Sequence, residues 1–108
     1  MATYQEGFSS SVATGEQSVT LSLGKGTMRK VTAVYCYIPG ADDSANITVH
    51  RTDSTAAAAN KIGGTKYNAY TSIDSIQDTW ATTALKLLVN TGLGSTVTCY
   101  FTVVYDYY

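Results

Sequence analysis

Charge is what this sequence has least of. Only 14% of its 108 residues are Asp, Glu, Lys or Arg, against about a quarter in ordinary globular domains. The formal net charge is −1, so no broad electropositive field is offered to nucleic acid. Proline, tryptophan and histidine occur once each, as Pro39, Trp80 and His50. A single histidine supplies neither a zinc site nor a Cys-His nucleophile on its own. No run of about 18 apolar residues is present, so no transmembrane helix is expected. The first residues carry neither a basic n-region nor an apolar h-region, so no secretory signal is read there, and cytoplasmic synthesis is expected. The initiating Met1 points to an unprocessed chain.

Cysteine is scarce too. Cys36 and Cys99 both fall in expected strands, and a cytoplasmic origin favours two buried free thiols over a disulfide. Trp80 lies far from Cys36, and Val97 stands where a tyrosine corner would place Tyr, which excludes a true immunoglobulin domain. Catalytic signatures are missing as well. Gly24-Lys25-Gly26-Thr27 lacks the Walker spacing and leads into a strand, so it reads as a turn. There is no dinucleotide fingerprint and no CxxC. Asp42 and Asp43 lack an EF-hand frame. Asp74 and Asp78, at i and i+4, read as solvated caps or turn residues rather than an acid–base pair. No enzyme activity, cofactor or metal is expected.

What is present is Thr, Ser, Ala, Gly and nine tyrosines, patterned with period two. The longest such run is Thr96–Tyr105, where Val97, Cys99, Phe101, Val103 and Tyr105 oppose Thr96, Thr98, Tyr100, Thr102 and Val104. β-branched and aromatic alternation of this kind suits a pleated, half-buried surface, and this run is placed centrally in a sheet. Gln17–Leu23 alternates Val19, Leu21 and Leu23 against Ser18, Thr20 and Ser22. Arg29–Ile38 is apolar on both faces, which points to a central strand, and Pro39 stops it. Ala45–Thr52 places Ile47 and Val49 inward with His50 on the wet face. Lys61–Thr65 reads as a turn, Lys66–Thr71 as a short edge strand, and Ala84–Val89 as a further strand. Two hairpins are expected: Val31–Ile38 with Ile47–Thr52, and Ala84–Val89 with the final run. Asp53–Asn60 reads as one or two helical turns or a loop. Ile73, Ile76 and Trp80 sit at helical spacing, and a short helix there would plug one end of the core.

These elements predict an all-β fold. It is an antiparallel β-sandwich of jelly-roll or Greek-key type with at most one or two short helical turns. One domain spans residues 17–108. Residues 1–16 precede it, either as a frayed terminus or edge strand, or as an arm that orders on a neighbour through Tyr4 and Phe8.

The segments Arg29–Ile38, Asn46–His50 and Leu85–Tyr105, with the polar loops between them, resemble small accessory virion proteins of tailed bacteriophages. These are the head decoration, or cement, proteins and related capsid or tail-associated β-sandwich proteins. The resemblance spans about residues 17–108 and rests on strand rhythm, brevity and Thr/Ala/Gly richness. It implies a non-enzymatic structural role in the virion, assembled in a host cytoplasm. Many copies would bind a major capsid or other virion protein as trimers or other homo-oligomers, without nucleic acid or membrane. Aromatic anchors that gain affinity on burial suit such a role, and Tyr4, Phe8, Tyr107 and Tyr108 are the candidates. The alternative is a glycan-binding module of an adhesive protein, with Tyr67, Tyr70 and Trp80 as stacking platform beside Asn68, Asp74 and Gln77.

Overall fold

A computed structural model describes residues 1–41, 45–51, 61–67 and 70–108, with backbone alone for 61–67 and 71. It contains eight strands: β1 (Ala2–Val12), β2 (Glu16–Leu21), β3 (Arg29–Tyr37), β4 (Ala45–His50), β5 (Lys61–Tyr67), β6 (Tyr70–Ile73), β7 (Leu85–Asn90) and β8 (Val97–Tyr107). There is no helix among the described residues. Two four-stranded sheets form, in the orders β1-β8-β3-β6 and β2-β7-β4-β5, with every pairing antiparallel. The protein is a β-sandwich. Its pairings have a simple logic: first with last, second with seventh, third with sixth and fourth with fifth. They describe one long antiparallel ribbon, rolled until β8 meets β3 and β7 meets β4.

The final run sits inside its sheet, between β1 and β3. Cys99, Phe101, Val103 and Tyr105 are buried, and Tyr100 is exposed on the other face. On the facing sheet Ile47, Val49, Leu85, Leu87 and Val89 close the core. Burying each such aliphatic side chain contributes about 1.5–3 kcal/mol. Both expected hairpins are absent. β3 and β4 lie in opposite sheets, as do β7 and β8. Strands with one apolar face can pair edge to edge or face each other across a core, and sequence proximity does not choose between the two. Here the connections cross the sandwich and the strands face each other.

A bulge explains the two apolar faces of β3. Its register with β8 slips between Val31 and Ala33, and the extra residue, Thr32, is exposed and donates its hydroxyl to the Val104 carbonyl at 3.1 Å. Alternation therefore reverses along the strand. Val31 points inward before the bulge; Val34 and Cys36 point inward after it, which turns Tyr35 and Tyr37 outward.

Several local expectations change. Lys61–Thr65 belongs to strand β5 and is not a turn. His50 is buried, not wet, at a second bulge between Val49 and His50, with Nε2 2.7 Å from Thr48 Oγ1. No helix forms over 72–80; Ile73 ends β6 and is buried, and Ile76 packs against the core. Asp78 is buried rather than solvated. Asp42, Asp43 and residues 53–60 lie outside the described residues. Residues 2–12 form an edge strand, in register with β8 from Ala2↔Tyr107 to Val12↔Val97.

Candidate functional site

One end of the sandwich is closed by polar contacts. Tyr105 is wholly buried, yet its hydroxyl is satisfied: it donates to Glu6 Oε1 at 2.7 Å and accepts from the Lys25 amide at 3.0 Å. Burial, followed by the Glu6 hydrogen bond, pushes this phenol up to about 12. Glu6 also accepts the Gly24 amide at 2.8 Å. At the same end Asp78 accepts the Val31 amide at 2.8 Å and lies 3.4 Å from Arg51 Nε. Arg51 donates to the carbonyls of Thr83 and Arg29, each at 2.8 Å. Burial pulls the Arg51 guanidinium below its ordinary value, and Asp78 opposes that pull. Arg51 and Asp78 thus join β4, β3 and the 74–84 segment, while Asp78 Oδ1 is buried without a hydrogen-bond partner among the described residues.

Towards the opposite end it is the outer face of the first sheet that lies open. On the outer face of the first sheet Tyr37 pairs with Tyr70 of β6 on one side and Tyr100 of β8 on the other. Tyr37 and Tyr70 stack at 4.4 Å between centroids and 13° between planes. Tyr37 and Tyr100 lie 6.0 Å apart and 19° from parallel. Three rings therefore stand nearly parallel across three strands. Tyr37 has its phenol raised, first by a hydrogen bond with Tyr70. Tyr35, two residues along β3, pairs with Ser72 and Thr102. Together they line a cleft of about 500 Å³. A second trough of about 400 Å³ adjoins it, walled by Tyr100 and Thr102 and bordered by Gly7 and Ser9 of β1. Among the described residues, neither lining includes a charged side chain.

The candidates read from sequence separate into these two regions. Tyr4 stands edge-on to Tyr105, 6.0 Å between centroids, with Lys25 Nζ 5.0 Å from its own centroid. Phe8, on the edge strand β1, and Tyr107, at the end of β8, pack against the core. Tyr108 is exposed and meets Trp80 edge-on at 4.7 Å, while its carbonyl accepts the Thr27 and Met28 amides. Tyr4, Tyr107 and Tyr108 thus gather at the closed end. Tyr70 and Trp80 are not brought together. Tyr70 pairs with Tyr37, whereas Ala81, next to Trp80, bridges Arg29 at the other end of β3, about 25 Å away at 3.3 Å per residue. The Tyr67 and Asn68 side chains lie outside the described residues. Tyr35, Tyr37 and Tyr100 were missed as site residues. Their signal was present as aromatics in the strand alternation, but the bulge at Thr32 hides which face Tyr35 and Tyr37 occupy.

Cys36 and Cys99 are buried on the core face, and neither forms a disulfide. Burial pushes the Cys99 thiol up to about 11, which suppresses the reactive thiolate.

No protein-family model matches this chain, and no curated protein matches it either. Among solved structures, a chain of the acidic stable capsid structure of Helicobacter pylori bacteriophage KHP30 is similar in fold. The TM-score is 0.59 at 14% identity, covering 97% of this chain and 87% of that one. At that identity the likeness is one of fold, and it takes in both ends of the sandwich just described.

Proposed function

We propose that this protein is a non-enzymatic structural component of a bacteriophage particle, bound to the capsid surface as a decoration or cement protein and self-associating there. The observation that carries the reading is the rolled eight-stranded ribbon. It is the pairing of a jelly roll, an arrangement used by viral capsid domains, and a chain of a phage capsid structure shares the fold over nearly the whole length. Two further features support it. β1 is an eleven-residue edge without proline, Lys or Arg, and its one charge, Glu6, is engaged by Tyr105 and Gly24. Such an unguarded edge is a template for another strand. The surface is also poor in charge and rich in tyrosine, as the cores of protein interfaces are.

In this reading Tyr4 and Tyr108 present the contact surface at the closed end, Tyr107 supports it from below, and Phe8 is a further anchor along β1. The partner is a major capsid or other virion protein, and a trimer is the favoured oligomer. The test is the native mass in solution together with retention on purified capsids. A defined trimer or larger ring that co-sediments with capsids, and that Tyr4→Ala with Tyr108→Ala releases, is the expected result. A monomer that never co-sediments overturns the reading.

A further inference from the structure

We propose that the tyrosine face at the open end is a binding site for a neutral oligosaccharide, seated across β6, β3, β8 and β1 with Tyr100 between two adjacent sugar subsites. The inference goes beyond capsid attachment, which uses the other end of the molecule.

Four observations carry it. The first is shape. The cleft beside Tyr35, Tyr37 and Tyr70 and the trough over Gly7 and Ser9 share Tyr100 and Thr102, so they lie side by side with Tyr100 between them. Each part is within the range of small-ligand sites, about 300–1,000 Å³. The second is the chemistry of the lining. Exposed phenol rings offer flat apolar faces to the C–H face of a pyranose, and Tyr70, Tyr100 and Tyr35 are 73%, 48% and 45% exposed. Ser9, Ser72, Thr102 and the phenols both donate and accept hydrogen bonds, as sugar hydroxyls require.

The third is charge. Among the described strand residues of this outer face the charged ones are Lys30 and Asp106, register partners six residues along β8 from Tyr100, about 20 Å away. Phosphate, sulfate and uronate groups would find no counter-charge among the described lining residues. This selects a neutral ligand and disfavours a stacked nucleic acid.

The fourth is Gly7. Glycine weakens a strand interior, and within strands it often marks a close approach by a ligand. Gly7 does not have a positive φ, and a Cβ added there would meet nothing within 4 Å. Neither backbone conformation nor crowding requires a glycine at this position. Its bare Cα leaves open the trough along the wall formed by Tyr100.

The test is calorimetric titration of the full-length protein with cellohexaose, maltohexaose, mannohexaose, galactotetraose and chitohexaose, with a hyaluronan hexasaccharide as charged control. At least one neutral oligosaccharide is expected to bind. Gly7→Leu, which fills the trough, and Tyr100→Ala, which removes its wall, should each weaken that binding roughly tenfold or more, while Gly7→Leu leaves the melting temperature unchanged or higher. Trp80 emission should not move on binding, because Trp80 lies at the other end. Absence of binding to every neutral sugar overturns the proposal. So does preference for hyaluronan, or binding that both variants leave intact. Loss of capsid co-sedimentation in Gly7→Leu also overturns it, by assigning the face to a protein partner. Failure of the sugar titrations with capsid binding retained would leave the structural role standing.

Discussion

The tyrosines divide between the two ends of the sandwich, and the division shows what one residue type does in two settings. At the closed end Tyr105 is buried with its hydroxyl bonded to Glu6 and the Lys25 amide, and Tyr107 packs on the core. There the phenol is a large apolar body with a satisfied polar tip, and its work is cohesion. At the open end Tyr35, Tyr70 and Tyr100 are exposed, and the rings of Tyr70 and Tyr100 are aligned across strands by stacking on Tyr37. There the phenol is a preorganised surface. The buried tyrosine of the closed end should therefore carry stability, and the outer-face tyrosines of the open end little of it.

The hardest blow to the closed end is Asp78→Ala. It leaves the buried Arg51 guanidinium without its carboxylate and the Val31 amide without its acceptor. Breaking a buried pair from one side costs about 3–5 kcal/mol, a large share of the stability of a domain this size. Urea unfolding should show that loss. A change under about 1 kcal/mol would mean that the closed end is not held together as described. Replacing the pair by apolar residues of similar volume should restore much of the loss, because desolvation of both charges is then avoided.

Tyr105→Phe is the next test. It keeps the ring and removes one donor and acceptor, so about 1–2 kcal/mol should be lost. The phenol adds a pH signature. Its folded-state value, near 12, lies above the ordinary value of 10.0. Between these values the unfolded chain has released the proton and the folded chain still holds it. The associated stabilisation is complete below pH 10 and is lost as pH rises towards 12. The wild type should lose more stability than Tyr105→Phe across that window. Parallel curves would show that the Tyr105 hydroxyl is not buried.

The core of the closed design was legible from alternation alone. Ile47 and Val49 read as inward, and Val19 with Leu21, Leu85 with Leu87 and Val89, and the odd positions of 97–105 each read as one face; all are buried or partly buried. A period of two states the face directly, whichever sheet the strand joins. What alternation cannot state is the partner, so both hairpins were misread and β5 was taken for a turn. It also fails at bulges, and two bulges account for the misplacement of His50 and the ambiguity of β3. Asp78 was taken for a solvated cap because its partner, Arg51, is distant in sequence. The candidate anchors Tyr4, Phe8, Tyr107 and Tyr108 came from chain position and aromaticity, whereas the open-end cluster is assembled by pairing across β6, β3 and β8. Only the register reveals it.

Cysteine chemistry sharpens the contrast at modest scale. Cys36 and Cys99 lie under the sheet whose outer face carries the open-end tyrosines, yet both side chains are buried. Labelling of the native protein with a thiol reagent at neutral pH should be slow at both, and much faster in urea. Rapid labelling of Cys36 alone would mean that the sheet beneath Tyr35 and Tyr37 opens, and that the aromatic face is not a rigid platform.

The smallest expected effect is the most discriminating. Tyr35→Thr keeps a β-favouring residue at a position where the ring is 45% exposed and flanked by Ser72 and Thr102. Surface substitutions of this kind stay within about 0.5 kcal/mol, so the unfolding midpoint should barely move. Tyr70→Thr also gives up the stack on Tyr37, worth about 0.5–1.5 kcal/mol at most, and less here because Tyr70 is so exposed. If both variants hold within those bounds while Tyr105→Phe does not, then stability resides at one end and the aromatic surface at the other is free to be selected for contact. A loss of several kcal/mol from Tyr35→Thr would reverse that conclusion, because it would make the open-end tyrosines part of what holds β6 to β3.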